Sequence, residues 1–119
     1  MTTKKIGDAG EQLALNYLEK KGLKLISRNF RQRGGEIDLI MQDNLALVFI
    51  EVRLRKSARF GSAEESVTLQ KQRRLIQTAQ YYLQINTQQY ALYRFDVIGI
   101  RPDNNNLNIN WVKDAFQLN

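Results

Sequence analysis

The chain contains neither cysteine nor histidine. Thiol nucleophiles, zinc sites of the usual ligand types and relays that pass a proton through histidine are therefore excluded. Any catalysis must use carboxylates, lysine, arginine or hydroxyl groups. Proline occurs once and glycine seven times in 119 residues, so the sequence shows no low-complexity segment. These absences indicate a folded protein whose chemistry rests on acidic and basic side chains.

Long hydrophobic runs are also missing. The longest apolar run, Leu45 to Ile50, is far shorter than the roughly 20 residues of a bilayer-spanning helix. The start of the chain, Met1 to Lys5, lacks the apolar stretch of a secretory signal. We therefore expect a cytoplasmic protein without membrane association. The length of 119 residues predicts a single domain over residues 1–119.

Basic residues outnumber acidic ones. Eighteen Lys plus Arg against twelve Asp plus Glu give a net charge of +6 and a pI of about 9.8. Such an excess favours polyanionic partners, among which nucleic acid is the first candidate. Solubility alone also accounts for a basic composition, so the charge needs a second observation before it indicates a function.

Hydrophobic periodicity predicts two helices and five strands. Apolar residues three and four apart predict helices over 6–21 and 69–83, the second with Thr68 as its N-cap. The polar positions 42–44 mark a tight hairpin, and 56–66 reads as a loop. The predicted strands are 23–30, 36–41, 45–54, 93–100 and 107–111. The order predicts an α/β fold in which helices flank a mixed sheet.

Acidic side chains interrupt the two strands of the predicted hairpin. Asp38 lies in the first strand, and Glu51 and Arg53 lie at the end of the second. A two-residue turn at 43–44 would put Asp38 opposite Phe49 and diagonal to Glu51 on one face. Diagonal neighbours are about 7 to 8 Å apart, so the two carboxylates could converge on one cation.

A carboxylate pair of this kind suits Mg²⁺, or Mn²⁺ in its place. Mg²⁺ is typically held by one or two carboxylates together with water and substrate phosphate. Phosphodiester hydrolysis is the natural reaction, with Arg53 stabilising the negative charge of the transition state. Salt bridges among Glu36, Asp38, Arg53 and Arg55 would explain the same spacing without any chemistry.

One residue of each helix is a candidate addition to this site. Glu11 lies at the edge of the apolar stripe of the first helix, where it can face the sheet, although a solvated position is the commoner explanation. Gln72 lies near the centre of the apolar stripe of the second helix. A buried amide there needs a partner, for which a carboxylate or a metal-bound water would serve.

Basic residues flank the acidic hairpin on both sides. Phosphate contacts require such clusters, whereas solvated loop charge is the alternative explanation. The residues are Arg28, Arg31 and Arg33 before the hairpin, Arg53, Arg55, Lys56 and Arg59 after it, and Lys71, Arg73 and Arg74 in the second helix.

Two further patterns are assigned to structure. The spacing of the tyrosines at 81, 82, 90 and 93 fits packing better than stacking on bases. Arg94 and Asp96 share a strand face, which predicts an internal ion pair that takes no part in chemistry.

A series of sequence blocks runs through nearly the whole chain. The blocks are Gly7-Asp8-Ala9-Gly10-Glu11, Arg28-Asn29-Phe30-Arg31, Gly35-Glu36-Ile37-Asp38-Leu39-Ile40, Val48-Phe49-Ile50-Glu51-Val52-Arg53, Phe60-Gly61-Ser62, Val67-Thr68 with Lys71-Gln72, and Arg94-Phe95-Asp96-Val97-Ile98. In these blocks the chain resembles the YraN family of small bacterial proteins, which is similar to Holliday-junction resolvases of the PD-(D/E)XK nuclease superfamily. The resemblance implies a restriction-endonuclease-like α/β fold of order α-β-β-β-α-β-β.

The resemblance also implies a metal site. The two strand acids of the superfamily fall on Asp38 and Glu51, and the backbone carbonyl of Val52 would be the third protein ligand. The implied activity is that of a Mg²⁺-dependent endonuclease acting on DNA, including branched DNA. Two-fold pairing suits the cleavage of a junction, so a homodimer is a further expectation.

The catalytic roles that the resemblance implies differ in one position from the superfamily pattern. The first-helix acid falls on Glu11, and the residue from the second helix falls on Gln72 or Lys71. The usual lysine two positions after the second acid is Arg53 here. Because Arg cannot lose its proton, a catalytically weak or inactive nucleic-acid-binding module is the alternative function. A scaffold protein with a purely structural acidic cluster is the third.

Overall fold

The computed structural model describes residues 3–56 and 61–117, and the side chains from residue 7 onwards. The helices are α1 (Thr3–Lys20) and α2 (Leu69–Ile85), with a 3₁₀ turn at Glu64–Ser66. The strands are β1 (Lys24–Gln32), β2 (Gly35–Asp43), β3 (Ala46–Leu54), β4 (Leu92–Asp103) and β5 (Asn106–Phe116). This order confirms the predicted α/β fold and is consistent with a restriction-endonuclease-like architecture.

The five strands form one mixed sheet in the order β1-β2-β3-β4-β5. β3 and β4 are parallel, and the other neighbours are antiparallel. Parallel neighbours need a long crossover connection, which α2 provides here. α1 buries Ala14, Leu15 and Leu18 against one face of the sheet, whereas α2 buries Leu75 and Ala79 against the other. The helices therefore flank the sheet, as predicted.

The β2–β3 hairpin turns one residue later than the sequence predicted. Asp43 pairs with Ala46, so the turn consists of Asn44 and Leu45. Asn44 has a φ of 54°, a left-handed conformation that asparagine tolerates better than most residues. The prediction of a turn at 43–44 was wrong because Asn44 occupies the first turn position.

This turn shifts the register of the hairpin by two residues. Phe49 lies opposite Ile40, and the predicted pairing of Phe49 with Asp38 was wrong. The ladder ends one step before Asp38 and Glu51, which the same register would place opposite one another. The two carboxylates therefore lie closer together than the predicted diagonal arrangement would allow.

The edge strands are longer than the sequence predicted. β1 continues to Gln32, two residues beyond the predicted end at residue 30, so Arg31 lies in the strand. β5 continues beyond Trp111 to Phe116. Edge strands carry polar residues that face water, so their hydrophobic alternation is weak and the pattern underestimates their length.

The predicted ion pair of β4 forms the buried polar centre of the sheet. Arg94 Nε lies 3.0 Å from Asp96 Oδ1, and Asp96 is buried. Asp96 also accepts hydrogen bonds from Trp111 Nε1 and Asp114 N, both at 2.9 Å. Arg94 Nη2 in turn donates to Asp43 at 2.8 Å. The pair thus ties β4 to β5 and to the β2–β3 hairpin.

Neither of the helices described in residues 3–56 and 61–117 is long and apolar enough to span a lipid bilayer.

Candidate functional site

Asp38 and Glu51 meet where the β2–β3 ladder ends. Asp38 Oδ2 accepts a hydrogen bond from Val52 N at 2.8 Å, which holds the carboxylate against β3. Glu51 is only 4% exposed. Burial, followed by the charge of Asp38 and a hydrogen bond with it, raises the pKa of Glu51 from 4.5 to about 8. This shift favours the protonated form of Glu51 near neutral pH.

The regular alternation of β2 breaks at Asp38. Residues two apart normally share a face of a strand. Ile37, however, packs into the cluster under α2, whereas Leu39 packs into the cluster under α1. This change of face places Asp38 at the boundary between the two layers, where side chains of both helices can approach it.

Glu11 of α1 lies on the acidic side of this boundary. Partial burial, followed by the charges of Asp38, Glu36 and Asp8, raises the pKa of Glu11 from 4.5 to about 7, against the opposing charge of Arg28. The structure thus brings Glu11 next to Asp38, as its place at the edge of the apolar stripe suggested. Its predicted catalytic role stays a prediction.

Asn29 links two of these acids and was missed as a site residue. With its amide nitrogen directed towards them, it donates to Glu11 Oε1 at 2.7 Å and to Glu36 Oε1 at 3.0 Å. Its φ of 52° is left-handed in the middle of β1, and such strain in a strand concentrates at functional sites. An asparagine inside a β-rich run was the only signal in the sequence.

Asn29→Gly is expected to separate the backbone role of this residue from its amide. Glycine adopts a positive φ without strain, so the free energy of unfolding should change by less than about 1 kcal/mol. Loss of the shared amide donor removes a hydrogen bond to the ionised form of Glu11, so the pKa of Glu11 should rise. Carboxyl NMR titration measures that pKa, and a value equal to that of the wild type would contradict the assignment.

Two cations face the pair from the other side. Lys71 Nζ lies 3.4 Å from Glu51 Oε2, and Arg53 Nη1 lies 4.0 Å from the same oxygen. Thr68 caps α2, as predicted, because its side chain accepts a hydrogen bond from Lys71 N. This cap fixes the first turn of α2, so Lys71 starts from a defined position beside β3.

Arg53 is also held by the 3₁₀ turn, through the side of its guanidinium that faces away from the carboxylates. Its Nε donates to Ser66 Oγ at 3.1 Å, and that hydroxyl donates to the carbonyl of Ala63. The guanidinium therefore keeps its Nη groups free to face the site while its position is set by Ser66. Nothing in the sequence pattern indicated Ser66.

Gln72 does not contact the carboxylate pair. Its Nε2 donates to the backbone carbonyl of Val67 at 3.0 Å, and the side chain is half-buried. The partner of this Nε2 is thus a backbone carbonyl and not a carboxylate, because Val67 precedes the helix cap and offers its carbonyl within reach, whereas the contact with a metal-bound water stays a prediction. Of the two helix residues proposed from the resemblance, Lys71 is the one that reaches the pair.

The first basic cluster borders an open groove of about 960 Å³ beside Glu11. Arg28 donates to Gln12 Oε1 at 2.9 Å, and Arg31 Nε lies 3.3 Å from Glu36 Oε1. Arg33 is exposed at the β1–β2 turn. The groove thus combines acids at its base with arginines at its margin.

The second basic cluster follows β3. Arg55 is half-buried and Lys56 is exposed, whereas Arg59 lies outside the described residues. The alternative of salt bridges among Glu36, Asp38, Arg53 and Arg55 is confirmed only in part. Glu36 pairs with Arg31, and Glu51 pairs with cations of β3 and α2. Asp38 instead accepts a backbone hydrogen bond.

The donor set at the pair fits a small hard cation. Within residues 3–56 and 61–117, no three or more Asp, Glu, His or Cys side chains are grouped as a complete metal cage. Mg²⁺ needs only one or two carboxylates and keeps several waters. Asp38 and Glu51 supply two carboxylates, and a divalent cation can take the place of a proton on Glu51, whose pKa is raised to about 8.

Glu51→Gln is expected to stabilise the protein at alkaline pH when divalent cations are absent. The folded pKa of about 8 exceeds the ordinary 4.5, so the folded state binds more protons between these values and stability falls as pH rises. The amide removes this loss. Urea unfolding in EDTA should show a gain of at least about 1 kcal/mol at pH 8 and little difference at pH 4. Equal gains at both pH values would contradict the origin of the shift.

Sequence comparison shows what the chain is similar to. The family model described as "Uncharacterised protein family UPF0102" matches residues 10–100, a range that includes the whole carboxylate site. A UPF0102 protein of Nitrosococcus oceani is 51% identical over 113 residues, which are 94% of this chain and 91% of the relative. The UPF0102 protein YraN of Shigella flexneri is 46% identical over 118 residues, 98% of this chain and 87% of the relative. A UPF0102 protein of Janthinobacterium sp. (strain Marseille) is 48% identical over 114 residues, 93% of this chain and 86% of the relative.

Proposed function

The chain belongs to the UPF0102 family, which includes the YraN proteins, and we propose that it hydrolyses phosphodiester bonds of DNA, including branched DNA. The proposed cofactor is Mg²⁺ or Mn²⁺. The observation that carries the proposal is the adjacency of Asp38 and Glu51 at the end of the β2–β3 ladder, where Asp38 accepts a hydrogen bond from Val52 N and Glu51 faces the two cations Lys71 and Arg53.

The proposed metal ligands are Asp38, Glu51 and the backbone carbonyl of Val52. In a β-strand the N–H and C=O groups of one residue point to the same side, so that a residue exchanges both hydrogen bonds with one neighbour. Val52 N donates to Asp38, which supports a Val52 carbonyl on the same side. A metal bound there would neutralise the scissile phosphate and lower the pKa of water.

Lys71 is proposed to take the part that a strand lysine plays in the superfamily. Its ammonium is nearer to Glu51 than the guanidinium of Arg53 is. A lysine is a compact point charge that can lose its proton, whereas Arg stays protonated and presents a planar fork. We therefore assign water positioning to Lys71 and stabilisation of transition-state charge to Arg53, held by Ser66.

The proposed path for the nucleic acid runs along both basic clusters. Arg28 and Arg31 line the acidic groove on one side, and Arg33 is exposed at the adjacent β1–β2 turn. Arg55, Lys56 and Lys71 follow Glu51 on the other side, and the net charge of +6 supports a polyanionic ligand. Glu11 would complete the acidic edge of the site. Homodimer formation and a cytoplasmic location stay predictions.

A second candidate function is a nucleic-acid-binding module of the same fold without turnover. It is favoured by Arg53 at the usual lysine position, since the Nε of Arg53 is engaged by Ser66 and its Nη1 is 4.0 Å from Glu51. It needs the same basic clusters but no metal. Metal-dependent cleavage therefore separates the two functions.

The test is incubation of purified protein with linear, single-stranded and four-way-junction DNA in Mg²⁺, Mn²⁺ or EDTA. Cleavage in either metal, and none in EDTA, is the expected result. Asp38→Ala protein, purified in parallel, controls for a contaminating nuclease. Salt-sensitive binding without cleavage in any metal would instead support the binding module.

A further inference from the structure

A second cavity lies at the end of the sheet, separate from the carboxylate pair. Its volume is about 290 Å³, it is open to solvent on one side, and it is lined by residues 61–63, β4 residues 99–101 and β5 residues 108–110. Among the residues with a proposed function, only Arg55 is part of its described lining. The cavity is therefore a feature that the proposed hydrolysis does not use.

Gly99 sets the shape of this cavity. A Cβ atom at Gly99 would lie 2.4 Å from the Cβ of Ala63, so the approach of residues 61–63 to β4 requires glycine. Gly99 pairs with Arg53 on β3 and with Asn110 on β5. The cavity consequently begins one strand away from Arg53.

The lining is basic and rich in hydrogen-bonding groups. β4 and β5 pair Arg101 with Asn108 and Gly99 with Asn110, so these alternate residues share one face. Arg101 and Asn108 are half-buried, and the described lining contains two guanidinium groups and no carboxylate. The cavity thus offers positive charge and carboxamides from adjacent strands.

The nearby carboxylate of Glu65 is committed to its own loop. Its Oε1 accepts from Ser62 N at 3.0 Å and from Ser62 Oγ at 2.9 Å. These bonds, with a contribution from Arg55, lower the pKa of Glu65. The negative charge of Glu65 partly offsets the positive charge of Arg55. We therefore expect Arg101 to contribute most to the binding of an anion in this cavity.

We propose that this cavity binds one nucleotide unit, with its phosphate against Arg101 and the edge of its base against Asn108 and Asn110. Guanidinium groups match phosphate oxygens in pairs, and carboxamides match the donor and acceptor edges of bases. The volume is at the lower end of ligand pockets, about 300 Å³, which suits one nucleotide and excludes a duplex. A free mononucleotide and a nucleotide within a strand share this chemistry.

The cavity is connected to the carboxylate site through the 3₁₀ turn. Ser66 accepts from Arg53 Nε and donates to the carbonyl of Ala63, which lines the cavity. Arg55 lies four positions after Glu51, directly beyond the end of β3, which is about 13 Å along an extended chain. One DNA strand can therefore reach both places, and this link, unlike the cavity itself, rests on the proposed function.

Binding measured in EDTA tests the cavity independently of hydrolysis. The probe is a fluorescent single-stranded DNA of about 12 nucleotides, followed by anisotropy, with dAMP and inorganic phosphate as competitors. Arg101→Gln is expected to raise Kd about 5- to 20-fold and to reduce the salt slope by about one. Asn108→Leu, which changes no charge, is expected to raise Kd about threefold or more. Lys24→Gln, at the other end of the sheet, is the matched charge control and should change Kd less than about twofold.

Each result of these binding experiments supports or overturns the proposed nucleotide contacts. Wild-type Kd values for Arg101→Gln and Asn108→Leu would overturn it, as would an equal loss in Lys24→Gln. Competition by dAMP at the affinity of the oligonucleotide would identify a free nucleotide as the ligand, whereas much weaker competition would identify a strand. Competition by phosphate alone, without an effect of Asn108→Leu, would overturn the base contact.

Failure of this proposal is distinguishable from failure of the proposed function. Normal cleavage with binding insensitive to Arg101 would refute only the nucleotide cavity. Binding that depends on Arg101, in a protein that cleaves nothing, would refute only the hydrolysis. Circular dichroism of each variant verifies that a change in Kd does not arise from unfolding.

Discussion

Asp38→Asn and Glu51→Gln are each expected to slow metal-dependent DNA cleavage by more than about 100-fold. Loss of a residue that merely orients a metal ligand costs 10- to 100-fold, and loss of a ligand itself should cost more. Each substitution keeps the shape of the side chain and removes one negative charge. The rate of cleavage under single-turnover conditions at saturating protein measures the effect on chemistry.

The control for these variants is Glu19→Gln, which removes an exposed carboxylate of α1 far along the helix from Glu11. Its cleavage rate should equal that of the wild type. DNA binding by Asp38→Asn and Glu51→Gln should stay equal or become tighter, because a negative charge near the phosphate is lost. A rate above about a tenth of the wild-type rate in either variant would be incompatible with a metal held by this pair.

Lys71→Met is expected to reduce the rate of cleavage by about 10²- to 10³-fold, because the group that positions the attacking water is lost. The Nζ atom of Lys71 lies 3.4 Å from Glu51 Oε2, whereas Arg53 Nη1 lies 4.0 Å from the same oxygen. Lys71→Arg should restore little of the rate, because a guanidinium does not lose its proton and is wider. Single-turnover rates and Kd for DNA, measured separately, separate chemistry from binding.

Arg53→Lys discriminates this assignment from a weakened active site. If Lys71 positions the attacking water, a lysine at position 53 should change the rate of cleavage less than about threefold. A change of that size is expected from loss of the hydrogen bond between Arg53 and Ser66 alone. A large gain would instead show that Arg53 had replaced a catalytic lysine. A rate for Lys71→Met close to the wild-type rate would also contradict the assignment.

The sequence predicted the faces of the elements better than the contacts between them. A period of two or of 3.6 residues shows which side chains share a face, and it pointed to Asp38, Glu51 and Glu11 as one site, although the alternation breaks at Asp38 and the pairing differs. The position of the hairpin turn depends on which single residue takes a left-handed conformation. Asp43 and Asn44 both tolerate it, and the choice of Asn44 moved the register by two residues.

Other features of the site depend on tertiary contacts and backbone conformations that no local sequence pattern predicts. Gln72 and Lys71 are neighbours on α2, and only the position of the Thr68 cap relative to β3 decides that Lys71 reaches Glu51. The left-handed conformation of Asn29 lies inside a strand, where composition predicts ordinary extended backbone. Ser66 contacts Arg53 through a short 3₁₀ turn whose polar residues read only as a loop.

The most direct test of the account is calorimetric titration of the metal-free protein with Mn²⁺ at pH 7, in two buffers of different ionisation enthalpy. We predict that the wild type binds about one ion and releases protons, because binding requires the ionised form of Glu51, whose pKa is raised to about 8. Asp38→Asn should abolish this binding. No binding by the wild type, or equal binding by Asp38→Asn, would contradict the claim that the pair is a metal site.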